Sequence, residues 1–88
     1  MKKKVSILIP CYNVEAYLPT CLDSITNQTY RDLQIVIVED GSKDNTLAVA
    51  QKYAEKDERI EVYHQENKGV AYARNTLLSK IKGDFCLF

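Results

Sequence analysis

Four short apolar runs recur along the chain at near-regular intervals: VSILI from Val5, LQIVIV from Leu33, IEVYH from Ile60 and FCLF from Phe85. Each of the first three is followed by a stretch with helical periodicity. Leu18, Cys21, Leu22 and Ile25 follow the i, i+3, i+4, i+7 spacing, and Leu47, Ala50 and Ala54 form a shorter stripe widened by Val49 and Tyr53. Val70, Ala73, Leu77, Leu78 and Ile81 form the cleanest stripe. The order is therefore β-α-β-α-β-α-β. Strands alternating with helices of this length require parallel pairing, which predicts an α/β chain folded as a Rossmann-like three-layer α/β/α sandwich with a mainly parallel sheet.

The runs also rank themselves within the sheet. IVIV and FCLF are continuously apolar, as strands covered on both faces should be, whereas IEVYH alternates and suits an edge. Pro19 inside the first helical pattern would cost about 3 kcal/mol at an interior position. The pattern is satisfied if Pro19 opens a regular helix running to about Asn27, with Glu15 to Leu18 as a tighter lead-in. Asp44 or Ser42 is expected to cap the second helix, and Gly69 to turn the chain into the third.

At 88 residues the chain falls below the common domain size of roughly 100–150 residues, so it reads as one domain or part of one. Its 45% hydrophobic and 27% charged residues exclude the disordered class. Twelve Lys plus Arg balance twelve Asp plus Glu, so no general attraction for nucleic acid exists and any anion site must be local. The Lys2 to Lys4 run is a solvated N-terminus and not a signal peptide, because the apolar stretch after it is short and meets Pro10. No apolar segment approaches the ~20 residues that cross a bilayer. Cys11, Cys21 and Cys86 are odd in number and lack C-x-x-C spacing, which fits small buried hydrophobes in a reducing cytosol.

In open parallel sheets, ligands bind beyond the carboxyl ends of the strands, near the point where strand order reverses. Three segments converge there: PCYN, EDGS and QENKG. Neither G-x-G-x-x-G after the first strand nor G-x-x-x-x-G-K-[ST] anywhere is present, so a ligand must be gripped differently. Tyr12 can cover the face of a base, and the Asp40 carboxylate can accept a ring N–H. Glu39 beside it is a second acid at the mouth of a buried strand, where an unpartnered charge is unfavourable. His64 is the sole histidine and reads as structural, Lys68 as a surface lysine, and Glu55 to Arg59 as the solvated end of a helix.

VSILIPCYNVEAYLPTCLDSITNQTY, IVIVEDGSKDNT, NKGVAYARN and KGDFCLF, in this order and spacing, resemble successive blocks of the family 2 glycosyltransferases, whose nucleotide-sugar-binding domain has the GT-A fold. The resemblance covers essentially the whole chain from Val5. It implies that Pro10, Tyr12 and Glu15 line the nucleotide pocket with Tyr12 against the base, that Asp40 meets the uracil edge, and that Arg74 lies toward the nucleotide or diphosphate. It further implies a UDP-sugar donor, an inverting transfer to a sugar, lipid-linked or protein acceptor, and a divalent Mn or Mg ion. The family's metal-holding acid-x-acid motif would follow GDFCLF, and the catalytic base lies further on. The chain ends at Phe88, so the 88 residues alone are expected not to transfer sugar, with membrane attachment only through a longer parent. The rival reading is a non-catalytic nucleotide-binding module. A phosphoacceptor signalling domain needs an acidic pair after the first strand, and PCYN supplies none.

Overall fold

The computed structural model describes residues 5–27, 32–80 and 85–87. Its elements run β1 (Val5–Cys11), α1 (Leu18–Thr26), β2 (Leu33–Asp40), α2 (Thr46–Lys56), β3 (Ile60–Gln65), α3 (Val70–Ser79) and β4 (Phe85–Leu87). The four strands form one parallel sheet in the order β3-β2-β1-β4. β3 stands at an edge, as its alternation predicts. Among the described residues β4 takes the other edge, paired to Val5–Ile7 of β1.

Two cores flank the sheet, and strand parity assigns residues to them. Ile7, Cys11, Ile35 and Ile37 face Leu18 and Leu22 of α1 and Ala50 of α2. Leu8, Val36 and Val38 face Ala73 and Leu77 of α3. All eight residues of β2 are buried, in keeping with a strand covered on both sides. This distribution follows from the chirality of parallel crossovers: the steps from β1 to β3 move one way across the sheet, and the step to β4 reverses, so its helix must take the opposite face.

Several helix details differ from expectation. α1 begins at Leu18, one residue before Pro19, because the Tyr17 and Leu18 amides both donate to the Val14 carbonyl. Pro19 remains harmless in the first turn, where amides have no intrahelical acceptor. Leu22 and Leu18 are buried, but Cys21 is exposed, so the small-hydrophobe reading holds for Cys11 and not for Cys21; the Cys86 side chain lies outside the described residues, as does the Lys2 to Lys4 run.

The inward face of α2 carries Ala50 with Val49, Tyr53 and Ala54 at its flanks, plus a fully buried Thr46 in place of Leu47. A threonine is tolerated there because its hydroxyl both donates to Asp44 Oδ1 and accepts the Val14 amide, so no polar atom is left unpaired. Neither Asp44 nor Ser42 occupies the cap position of α2, which is Asn45; Asp44 instead accepts the Thr46 amide, and Ser42 turns toward the first loop. In α3, Ala73 and Leu77 are buried while Leu78 is 47% exposed, since among the described residues a single helix covers this face and its buried stripe is narrow. Gly69 precedes α3 with φ 92°, the backbone conformation expected of it. At the far end of α2, Arg59 is drawn inward by Asp57 at 2.7 Å and by the Thr26 carbonyl, so the charged run there is partly a tie between elements.

Candidate functional site

The carboxyl ends of β1 and β2 and the start of α3 frame a cleft lined by Pro10, Cys11, Tyr12, Asp40 and Ala73. Strand order reverses beside β1, so the cleft lies where an open parallel sheet is expected to take a ligand. Its enclosed part holds about 40 Å³, room for about one water, so a larger planar group would rest at the mouth against the exposed Tyr12.

Asp40, 6% exposed, is held by three donors. Its Oδ1 accepts the Gln65 side-chain amide at 2.9 Å and the Lys68 N–H at 2.6 Å, and its Oδ2 accepts the Gly69 N–H at 2.9 Å. Burial alone would raise its pKa, but these bonds from Gln65, Lys68 and Gly69 outweigh it and hold the carboxyl below its ordinary value. A carboxylate offers about four lone-pair directions, so one on Oδ2 stays available beyond the three that order the entry to α3.

Glu39 is 1% exposed and points to the opposite side of β2. Its Oε1 meets His64 Nδ1 at 2.6 Å, and its Oε2 accepts the Ser42 N–H. Burial raises the Glu39 pKa, yet the Ser42 and His64 interactions prevail and lower it; the Glu39 bond correspondingly raises that of His64, against a smaller effect of burial. The two acids at the strand mouth thus have different partners: an imidazole for Glu39, the start of a helix for Asp40. The pairing of Glu39 with His64 left no local trace in the sequence, because the two lie 25 residues apart and meet only through the β2–β3 register.

Of the residues named from sequence, Pro10, Tyr12 and Asp40 are brought together at the cleft. Arg74 is exposed on α3, next in sequence to the cleft residue Ala73. Glu15 turns elsewhere: its Oε1 accepts the Asn45 N–H at 3.2 Å and its Oε2 the Asn45 side-chain amide at 3.4 Å. Lys68 places its ammonium 5.0 Å from the centroid of the Tyr72 ring. Sequence reasoning passed over Asn13 and Gln65, and gave Ser42 only a capping role. The only signal for Asn13 and Ser42 was that side chains able to take or give a hydrogen bond sit immediately after strand ends.

Among the described residues no group of three or more His, Cys, Asp or Glu side chains is placed to hold a metal ion. Glu15, Glu39, Asp40 and Asp44, all at this end of the sheet, already accept bonds from protein donors. These residues do not fit a divalent cation. No helix among the described residues is long and apolar enough to cross a membrane.

A family model described as glycosyl transferase family 2 matches residues 6–88. The glycosyltransferase GlyA of Streptococcus pneumoniae is 45% identical over 85 residues, which make up 97% of this chain and 12% of that protein. The mannosyltransferase PcManGT from Pyrobaculum calidifontis, solved in complex with GDP-Man and Mn2+, superposes with a TM-score of 0.88 at 27% identity over 98% of this chain and 26% of its own. S. aureus TarS 1-349 in complex with UDP-GlcNAc gives 0.86 at 32% identity, over 97% and 25% respectively. The chain therefore spans between about an eighth and a quarter of these three. Its three-layer architecture is that of the GT-A glycosyltransferases, and with the family model matching all but its first five residues, the chain belongs to glycosyl transferase family 2.

Proposed function

We propose that this chain is the donor-binding part of a glycosyltransferase that takes a UDP-sugar and transfers the sugar, with inversion, to a hydroxyl of a sugar, lipid-linked or protein acceptor. The observation that carries the reading is the convergence of Pro10, Tyr12 and Asp40 at one cleft, with a lone-pair direction on Asp40 Oδ2 beyond those used by the protein. Tyr12 stacks on the base at the mouth of the cleft. Asp40 accepts the uracil N3–H. Cytosine presents a lone pair at that ring position and is disfavoured by the carboxylate, which gives the base preference a physical cause.

Arg74 serves the diphosphate side, whereas Glu15, turned from the cleft to Asn45, ties the β1–α1 loop to the start of α2. Inversion requires the acceptor oxygen to attack the anomeric carbon opposite the departing nucleoside diphosphate, as a base removes the acceptor proton. That base, and the carboxylates that hold Mn or Mg, belong in this reading to a longer cytoplasmic protein. The 88 residues contribute donor binding without transfer.

Calorimetry with UDP, GDP and CMP tests the assignment. UDP should bind tightest. An Asp40→Asn variant keeps an acceptor for the α3 amides but loses the anionic oxygen, and a hydrogen bond to a charged group nets about 1.5–3 kcal/mol, so UDP should bind it roughly tenfold or more weakly. Equal UDP affinity in the variant removes Asp40 from the base site.

A further inference from the structure

Tyr12 is 41% exposed and packs into neither core, so its position is set by the backbone beneath it. That backbone is unusual at the next residue. Asn13 has φ 52°, in the left-handed region that few side chains other than Asn and Asp enter. It is held there from both ends of its own structure: its N–H donates to Ser42 Oγ at 2.9 Å, and its Oδ1 accepts the Lys43 N–H at 2.9 Å. Ser42 in turn donates its N–H to Glu39, the neighbour of Asp40 at the end of β2. A continuous path of hydrogen bonds therefore ties the loop that carries Tyr12 to the strand that carries Asp40.

We propose that Asn13 is a positioning residue for the nucleotide site, its side chain locking the β1–α1 loop onto the β2–α2 loop so that the Tyr12 ring is presented at a set distance from Asp40. The inference rests on the reading of Tyr12 and Asp40 as base-binding groups. Its logic is preorganisation: a ring held in place before binding loses less conformational freedom when the base arrives. Asn13 contacts no donor in this reading and acts only through Tyr12. The remainder of the loop has its own anchors, since the Val14 N–H donates to Thr46 Oγ1 at 2.9 Å and the Glu15 N–H to Asp44 Oδ2 at 3.2 Å. Loss of the Asn13 side chain should therefore loosen Tyr12 without unfolding the loop.

Asn13→Gly is the discriminating substitution, because glycine accepts the positive φ and removes only the side-chain bond. UDP titrated calorimetrically onto the protein should bind this variant about fivefold more weakly, the affinity equivalent of one net hydrogen bond. Asn13→Asp, which keeps both the left-handed preference and the acceptor for Lys43, should restore affinity to within about twofold. In a Tyr12→Ala background the Asn13→Gly change should have no further effect, since nothing is left to position. Thermal unfolding of each variant separates loosening from loss of fold. Unchanged UDP affinity in Asn13→Gly alongside weakened affinity in Tyr12→Ala overturns the positioning role alone. Persistence of the Asn13→Gly effect without the Tyr12 ring also overturns it. Unchanged affinity in Tyr12→Ala overturns the reading of the site itself.

Discussion

Replacing Asp40 by alanine should unfold the start of α3 before it reports anything about nucleotide. The substitution removes the acceptor shared by the Gln65 amide and the Lys68 and Gly69 N–H groups, at a position only 6% exposed. A donor left unsatisfied in a buried site costs about 1–3 kcal/mol, and the negative charge at a helix entry adds some tenths to about 1 kcal/mol. Water entering the open cleft returns part of this, so the net loss should be roughly 3 kcal/mol, or about 12–24 °C in Tm for a chain of this size. Asp40→Asn retains one acceptor and should lose about 1 kcal/mol.

The pH dependence has a definite sign. The folded carboxyl titrates below its ordinary value of 3.8, so its stabilising contribution is present above that value and is lost as pH falls through the folded pKa. Urea unfolding followed by circular dichroism should give a parent-minus-Asn difference that is flat from about pH 7 to pH 5 and shrinks below the ordinary carboxyl value. If Asp40→Ala costs less than about 0.5 kcal/mol, the range of ordinary surface changes, the three bonds do not hold α3 as argued.

Gly41→Ala should also destabilise, because φ is 65° and an added Cβ would lie 2.7 Å from the Asn67 backbone nitrogen; about 1–3 kcal/mol is expected, and an unaltered Tm would refute it. His64 is the sole histidine, so its proton NMR titration reads one site directly. Its pKa should lie above 6.5 and fall toward that value in Glu39→Gln. A raised folded pKa stabilises below the unfolded value and is lost as pH rises through the folded one, while the lowered Glu39 pKa works in the opposite sense from 4.5. The destabilisation caused by His64→Ala should therefore peak between 4.5 and 6.5 and decline on either side; a loss independent of pH would refute the ion pair.

The alternation of strands and helices, the edge position of β3 and the convergence of the segments that carry Tyr12 and Asp40 were legible in the chain because each follows from local periodicity and one rule about parallel sheets, whereas Pro10 was singled out only by the family resemblance. Side-chain direction in a strand repeats every two residues and in a helix every three or four, whatever the rest of the molecule does. Helix rotation was less legible. Thr46 enters the core of α2 in place of Leu47 only because Asp44 and the Val14 amide satisfy its hydroxyl, and Val14 lies 32 residues away. The partners of the two acids belong to the same class. Asp40 reads as a ligand-binding carboxylate in sequence and is, in the fold, also the acceptor that starts α3; Glu39 reads as an unexplained charge and proves to be paired with His64. Glu15 and Asn13, neighbours in one loop, are both drawn to the β2–α2 loop, a contact that exists only once β1 and β2 lie side by side in register. The sequence by itself determined which elements form, how they layer and at which end of the sheet the candidate site lies. Tertiary structure decided what each polar group there bonds to, since hydrogen bonds act over about 3 Å and the groups are brought that close only by the assembled sheet.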